Sequence, residues 1–146
     1  MKRLAVFAAI AAVFSAAAAF GAVQDFGKFT VDVPAGWTAS QNGPTAIINK
    51  DDNTAAMSLT VDSAQGNSAK DLAEAFVENF KGSFAKVSAP EVDEDGDYAW
   101  VMTNGAGVDT HALLRVDNGD YMLITMTGLE TAGEEISAML GSVQDK

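Results

Sequence analysis

Apolar and polar residues alternate from Phe29 onward. Phe29, Val31 and Val33 are separated by Thr30 and Asp32, and a period of two predicts a half-buried strand. Pro34-Ala35-Gly36 ends it, because proline gives no N–H to a ladder and glycine accepts a turn; Trp37 then folds back onto the core. A second break at Asn42-Gly43-Pro44 precedes a short strand over 45–49. A polar turn at Asp51-Asp52-Asn53 precedes a strand over 55–61 that carries Met57, Leu59 and Val61 on one face. These pieces predict an N-terminal antiparallel meander.

The period then changes. Ala69, Leu72, Ala73, Phe76 and Phe80 recur at helical spacing, with Lys70, Glu74, Glu78 and Lys81 on the opposite side. Ser68 opens this helix with Asp71 three residues on, a variant capping box, and Gly82 ends it. A strand over 86–92 is weakened by Pro90, and Asp93-Glu94-Asp95-Gly96-Asp97 reads as a solvated turn. Tyr98, Trp100 and Met102 alternate as a strand, and Asn104-Gly105-Ala106-Gly107 is a flexible connection.

The sharpest local signal is Asn118-Gly119 between two apolar runs, a hairpin mark because both turn residues need positive φ. It fixes a register: Val116 opposite Tyr121, Leu114 opposite Leu123, Ala112 opposite Thr125, and on the other face Arg115 opposite Met122, Leu113 opposite Ile124, His111 opposite Met126. Both faces of this hairpin carry large apolar side chains, so both need covering. A second helix is predicted from Thr131, with Glu134 completing a capping box and Ile136, Met139, Leu140 and Val143 forming its stripe. Two amphipathic helices and a two-faced antiparallel sheet predict an α+β sandwich.

Lys2 and Arg3 precede an apolar, alanine-rich run over 4–20, and Ala19-Phe20-Gly21 places small residues where a signal peptidase reads them. The expectation is a cleaved signal peptide over 1–21 and a single α+β domain over 22–146, periplasmic or secreted. The run is shorter and less apolar than a spanning helix, which needs about 20 strongly apolar residues, so no stable membrane insertion is expected after cleavage. The sequence has no cysteine, which excludes a lipoprotein anchor, thiol catalysis and cysteine-held metal, and leaves packing alone to stabilise an exported domain of about 125 residues. Seven of the nine basic residues follow the leader, against all twenty acidic ones, for a mature net charge of −13. Such a field repels nucleic acid and anionic lipid, and favours cationic partners and divalent cations.

The segment Phe29-Thr30-Val31-Asp32-Val33-Pro34-Ala35-Gly36-Trp37 resembles the F-x-V-x-V-P-x-G-W opening of PsbP-like and DcrB-like proteins. The helix from Ser68 to Glu74 is similar to their central helix, and Gly119 to Thr125 followed by Met139-Leu140-Gly141-Ser142-Val143 is similar to their last strand and helix. The resemblance implies an αβα sandwich around an antiparallel sheet. It also implies a role in binding other proteins, since the family spans photosystem II extrinsic subunits, a Ran-binding import factor and bacterial envelope proteins. It brings no catalytic motif. One departure is the missing cysteine, because DcrB-like proteins are often lipoproteins.

Candidate chemistry is sparse. His111 is the only histidine and has Asp109 two residues back, but no serine sits in a nucleophile-elbow context. Asp93, Asp95 and Asp97 offer alternate short carboxylates to a hard cation such as calcium, although Gly96 is misplaced for an EF-hand and no closing glutamate follows. Calcium binding to the folded chain alone would raise its melting temperature. Trp37, Tyr98, Trp100 and His111 are candidates for a ligand or partner surface. The expected function is non-enzymatic protein contact in the cell envelope with no cofactor. A small-ligand or calcium-binding protein is the alternative, and a hydrolase ranks below it.

Overall fold

The computed structural model describes residues 21–146, so the expected leader lies outside the described residues except for Gly21. Contacts gather into two compact units, residues 21–58 with Gly128–Lys146, and Leu59–Thr127. Among the described residues no helix is long and apolar enough to cross a membrane.

In the first unit β2 (Phe29–Val33) is the middle strand of a three-stranded sheet, between β1 (Ala22–Asp25) and β11 (Gln144–Asp145). Its alternation is the one read from the sequence: Phe29, Val31 and Val33 are buried and the residues between them half-buried. Helix α2 (Leu129–Ser142) packs on β2. The Ser142 hydroxyl accepts from the Asp32 N–H at 2.8 Å and donates to the Met139 carbonyl at 2.7 Å. A separate antiparallel hairpin joins β3 (Trp37–Asn42) to β4 (Thr45–Lys50) through Gly43-Pro44, and β4 lies beside β5 (Ala56–Ser63), whose first residues belong to this unit.

This corrects the expected meander. The strand at Phe29 does not lead into the sheet of β3, β4 and β5; it pairs with the two ends of the described chain. Pro34-Ala35-Gly36 is therefore a change of sheet rather than a hairpin loop. Its geometry is held by Trp37 N–H bonding back to the Pro34 carbonyl at 3.3 Å and Asp51 N–H reaching the Gly36 carbonyl at 2.9 Å.

In the second unit β5 is followed in spatial order by β10 (Asp120–Thr127), β9 (Asp109–Asp117) and β8 (Tyr98–Thr103). Two short strands, β6 (Lys86–Val87) and β7 (Glu91–Val92), share the far edge of β8. The single strand expected over 86–92 is thus split at Pro90. The hairpin register predicted from Asn118-Gly119 is the observed one at all six pairs, with Asn118 at φ 52° and Gly119 at φ 82°. Helix α1 (Ala69–Phe80) covers one face of β8 to β10, where Ala73 and Val77 pack with Trp100, Met102, Leu114 and Leu123. Met122 and Ile124, on the opposite face, are also buried.

The start of α1 matches its sequence signal. The Ser68 hydroxyl accepts from the Asp71 N–H at 3.1 Å, satisfying one of the donors a helix leaves open at its first turn. Ser68→Ala is expected to cost about 1 kcal/mol, read as a lower urea midpoint at an unchanged slope.

The start of α2 does not match. The expected capping box at Thr131 and Glu134 is absent: the helix begins at Leu129, its N-cap is Gly128 in the left-handed region, and no side chain caps it. Thr131 lies inside the first turn, where its hydroxyl faces the Gly128 carbonyl at 3.3 Å. Ala132 then breaks helical geometry at φ −123° before the helix resumes.

Candidate functional site

The acidic segment after β7 is the exposed turn expected of it from Asp93 to Gly96, but not at Asp97. Asp93 to Asp97 form a tight loop in which the Asp93 carboxylate accepts from the N–H groups of Asp95 and Asp97, both at 2.9 Å. Asp97 then leaves the surface. Its side chain is 5% exposed and that of its partner Arg115 is 6% exposed. The Arg115 Nε donates to both Asp97 oxygens, at 3.0 and 3.1 Å, and a second guanidinium nitrogen also donates to Oδ2. Hydrogen bonding to Asp97 holds the guanidinium above its usual range against the opposing effect of burial, and the fields of Asp97, Asp95 and Asp93 add to it.

Carboxylate oxygens of Asp93, Asp95 and Asp97 lie within 4.8 Å of one another. That spacing suits a hard cation, but both Asp97 oxygens already accept from Arg115.

The four other candidates are divided between the two units. Trp37 lies in the first unit, buried at the start of β3, with its indole N–H donating to Glu135 at 2.5 Å. Glu135 also accepts from Lys50 Nζ at 3.1 Å, so one carboxylate on α2 ties β3 to β4. Tyr98 and Trp100 belong to the second unit and pack in the core under α1. Trp100 is 2% exposed, and its Nε1 has no hydrogen-bond partner among the described residues. His111 stands half-buried in β9, opposite Met126 of β10 as the register predicted, with Val101 of β8 on its other side. Asp109 does not turn to it: its carboxylate accepts from the Thr103 hydroxyl at 2.7 Å.

Sequence reasoning missed Arg115 and Glu135 as organising residues. Arg115 had a usable signal. A lone arginine in a strand apolar on both faces requires a carboxylate partner, because an unpaired buried charge is too costly. Glu135 had none, since it is one of several acids on an amphipathic helix.

A concave feature of the second unit is a groove of about 450 Å³ beside α1. Glu74, Val77 and Glu78 form its helix wall, and Val87, Ala89 and Pro90 line the opposite side. This strap carries one residue more than the strand it follows. Val87 pairs with Met102 and Glu91 with Ala99, so four steps along the strap match three along β8. The bulge is pinned by Ser88, whose N–H donates to the Val101 carbonyl and whose hydroxyl accepts from the Val101 N–H, each at 2.9 Å.

No protein-family model matches the chain, and no curated protein matches it in sequence. Solved structures do match in shape. The chain is similar to the solution structure of cyanobacterial PsbP (CyanoP) from Synechocystis sp. PCC 6803, with TM-score 0.50 and 9% identity over 82% of this chain and 87% of that one. A crystal structure from Bacteroides thetaiotaomicron VPI-5482 gives TM-score 0.46 and 11% identity over 86% of this chain and 47% of that one. The antiparallel sheet, the helix pair and this structural likeness together give the chain the PsbP-like α+β fold.

Proposed function

We propose that this chain is exported, loses its leader and works in the cell envelope by binding other proteins rather than by catalysis. The observation that carries the reading is the groove beside α1. It has apolar residues exposed on a strap that Ser88 bonds to β8, and a run of exposed carboxylates follows directly on it. Such a surface suits a docking partner better than a reaction. His111 supports the same reading, because its cross-strand neighbours are a valine and a methionine rather than a nucleophile. The leader pattern of Lys2, Arg3 and the alanine-rich run supports export.

The test is photo-crosslinking in the envelope of living cells, with p-benzoylphenylalanine placed singly at Val23, Val92 and Val108, the exposed large hydrophobics among the described residues. Discrete, light-dependent adducts of higher mass are expected from at least one position. Bare monomer at all three positions would overturn the reading.

A further inference from the structure

The strap that follows α1 has the usual defences of a sheet edge. β6 and β7 are two residues each, a bulge separates them, and Pro90 offers no N–H. Ser88 and Asp93 turn their N–H groups inward, to Val101 and Asp97, so along this antiparallel edge only short, separate stretches around Val87 and Val92 present backbone groups outward. A partner therefore gains little by adding a strand here, and recognition falls to side chains.

Those side chains are unusual for an edge. Val87 pairs with Met102 and Val92 with Tyr98, so both stand on the face that α1 covers. Val87 is half-buried against the core, whereas Val92 is 59% exposed. Val77, Val87, Ala89 and Pro90 supply the apolar lining of the groove, and Val92 extends the Val87 face past Pro90 at the strap end.

Charge then identifies what lies on it. On the helix wall each glutamate carries a lysine of its own helix: Glu74 bonds Lys70, and Glu78 bonds Lys81 at 2.7 Å. The surplus lies at the strap end, where Glu91, Asp93, Glu94 and Asp95 are all exposed and Lys86 is the one basic residue of the strap. A second copy of this chain would bring a mature charge of −13 against that end. A basic segment meets complementary charge at the strap end and an apolar seat in the groove.

Resting on the reading of this chain as a protein-binding domain, we propose that the groove between α1 and the β6–β7 strap binds a lysine- or arginine-rich segment of a partner. An apolar side chain of that segment packs on Val77, Val87 and Val92, and its cations pair with Glu91 and the acidic turn.

The probe is a short amidated peptide of alternating lysine and valine, titrated into the purified, isotope-labelled chain and followed by amide NMR. Shifts are expected at Val77, Val87, Ser88 and Val92, and none with the glutamate–valine peptide. Glu91→Gln combined with Glu94→Gln, both at exposed positions, is expected to weaken binding about fivefold, as is raising salt to about 0.5 M. Val92→Asp, also exposed, is expected to remove the groove shifts without altering the rest of the spectrum.

Shifts confined to the acidic turn and reproduced by a lysine–glycine peptide would overturn the proposal, as would no shifts at all. The envelope crosslinks separate this proposal from the reading beneath it. Adducts at Val92 that the lysine–valine peptide suppresses support both. Adducts at Val23 or Val108 with none at Val92 overturn the groove and leave the protein-binding reading standing.

Discussion

Replacing Arg115 with methionine is expected to destabilise the protein by about 3–5 kcal/mol, a large share of the stability of a domain this size. Loss of an exposed ion pair would cost about 1 kcal/mol or less. The difference comes from burial: with both side chains about 5% exposed, the methionine variant leaves the Asp97 carboxylate in the interior with no cation to face. The Asp97 N–H remains bonded to Asp93, so the loop still delivers the carboxylate to the same buried place. The double variant Arg115→Met with Asp97→Leu removes both charges, and is expected to recover most of the loss. Urea denaturation of the wild type, both single variants and the double variant closes the cycle and isolates the coupling between the two residues. A single-variant cost below about 1 kcal/mol would mean that water reaches the pair, and that the acidic segment behaves as the solvated turn its composition suggests.

The parts of the fold that were legible are those written in local chemistry. Asn118 and Gly119 both need a conformation that few residues adopt, so the turn fixes six cross-strand pairs without knowledge of the rest of the sheet. Ser68, Asp71 and the Phe76–Phe80 stripe specify α1 in the same way. The parts that were illegible depend on distant partners. β3 runs Trp-Thr-Ala-Ser-Gln-Asn with only Trp37 buried, and it is a strand because β4 supplies its ladder. β1 and β11 are wholly exposed, and β2 makes them strands by offering an edge on each side. No alternation can announce such strands, since neither has a buried face.

The same division runs through the candidate site. Tyr98, Trp100 and His111 were placed in the right strands by pattern, but what each touches depends on the neighbouring strand. Asp97 looked like its exposed neighbours because the charge that buries it comes eighteen residues later on β9. Trp37 was expected to return to the core, and does so, yet the acceptor for its indole lies on the last helix. The groove was not foreseen, because a bulge appears only when two registers are compared.

Gly128→Ala is expected to cost about 3 kcal/mol, from two additive sources. Gly128 sits at φ 83° and ψ 30°, where an L-residue pays about 1–2 kcal/mol. A Cβ there would also meet the Thr54 carbonyl oxygen at 2.4 Å and the Ala55 Cα at 2.9 Å, which are backbone atoms that cannot swing aside as a side-chain tip does. Forcing them apart costs about 1–3 kcal/mol more. The strain has a direction, because the Ala55 carbonyl accepts from Lys50 N–H at 3.0 Å, and Lys50 reaches Glu135 on α2 at 3.1 Å. Pushing the start of α2 off Thr54 and Ala55 therefore pulls Glu135 away from both Lys50 and the Trp37 indole, so Trp37 fluorescence is expected to change along with the melting temperature. Gly133→Ala is the control. It lies five residues on in the same helix with open space around it, and there alanine is expected to stabilise by up to about 1 kcal/mol. If both substitutions shift the melting temperature in the same direction, then helix propensity governs this region, and the close approach of Gly128 to Thr54 does not hold α2 in place.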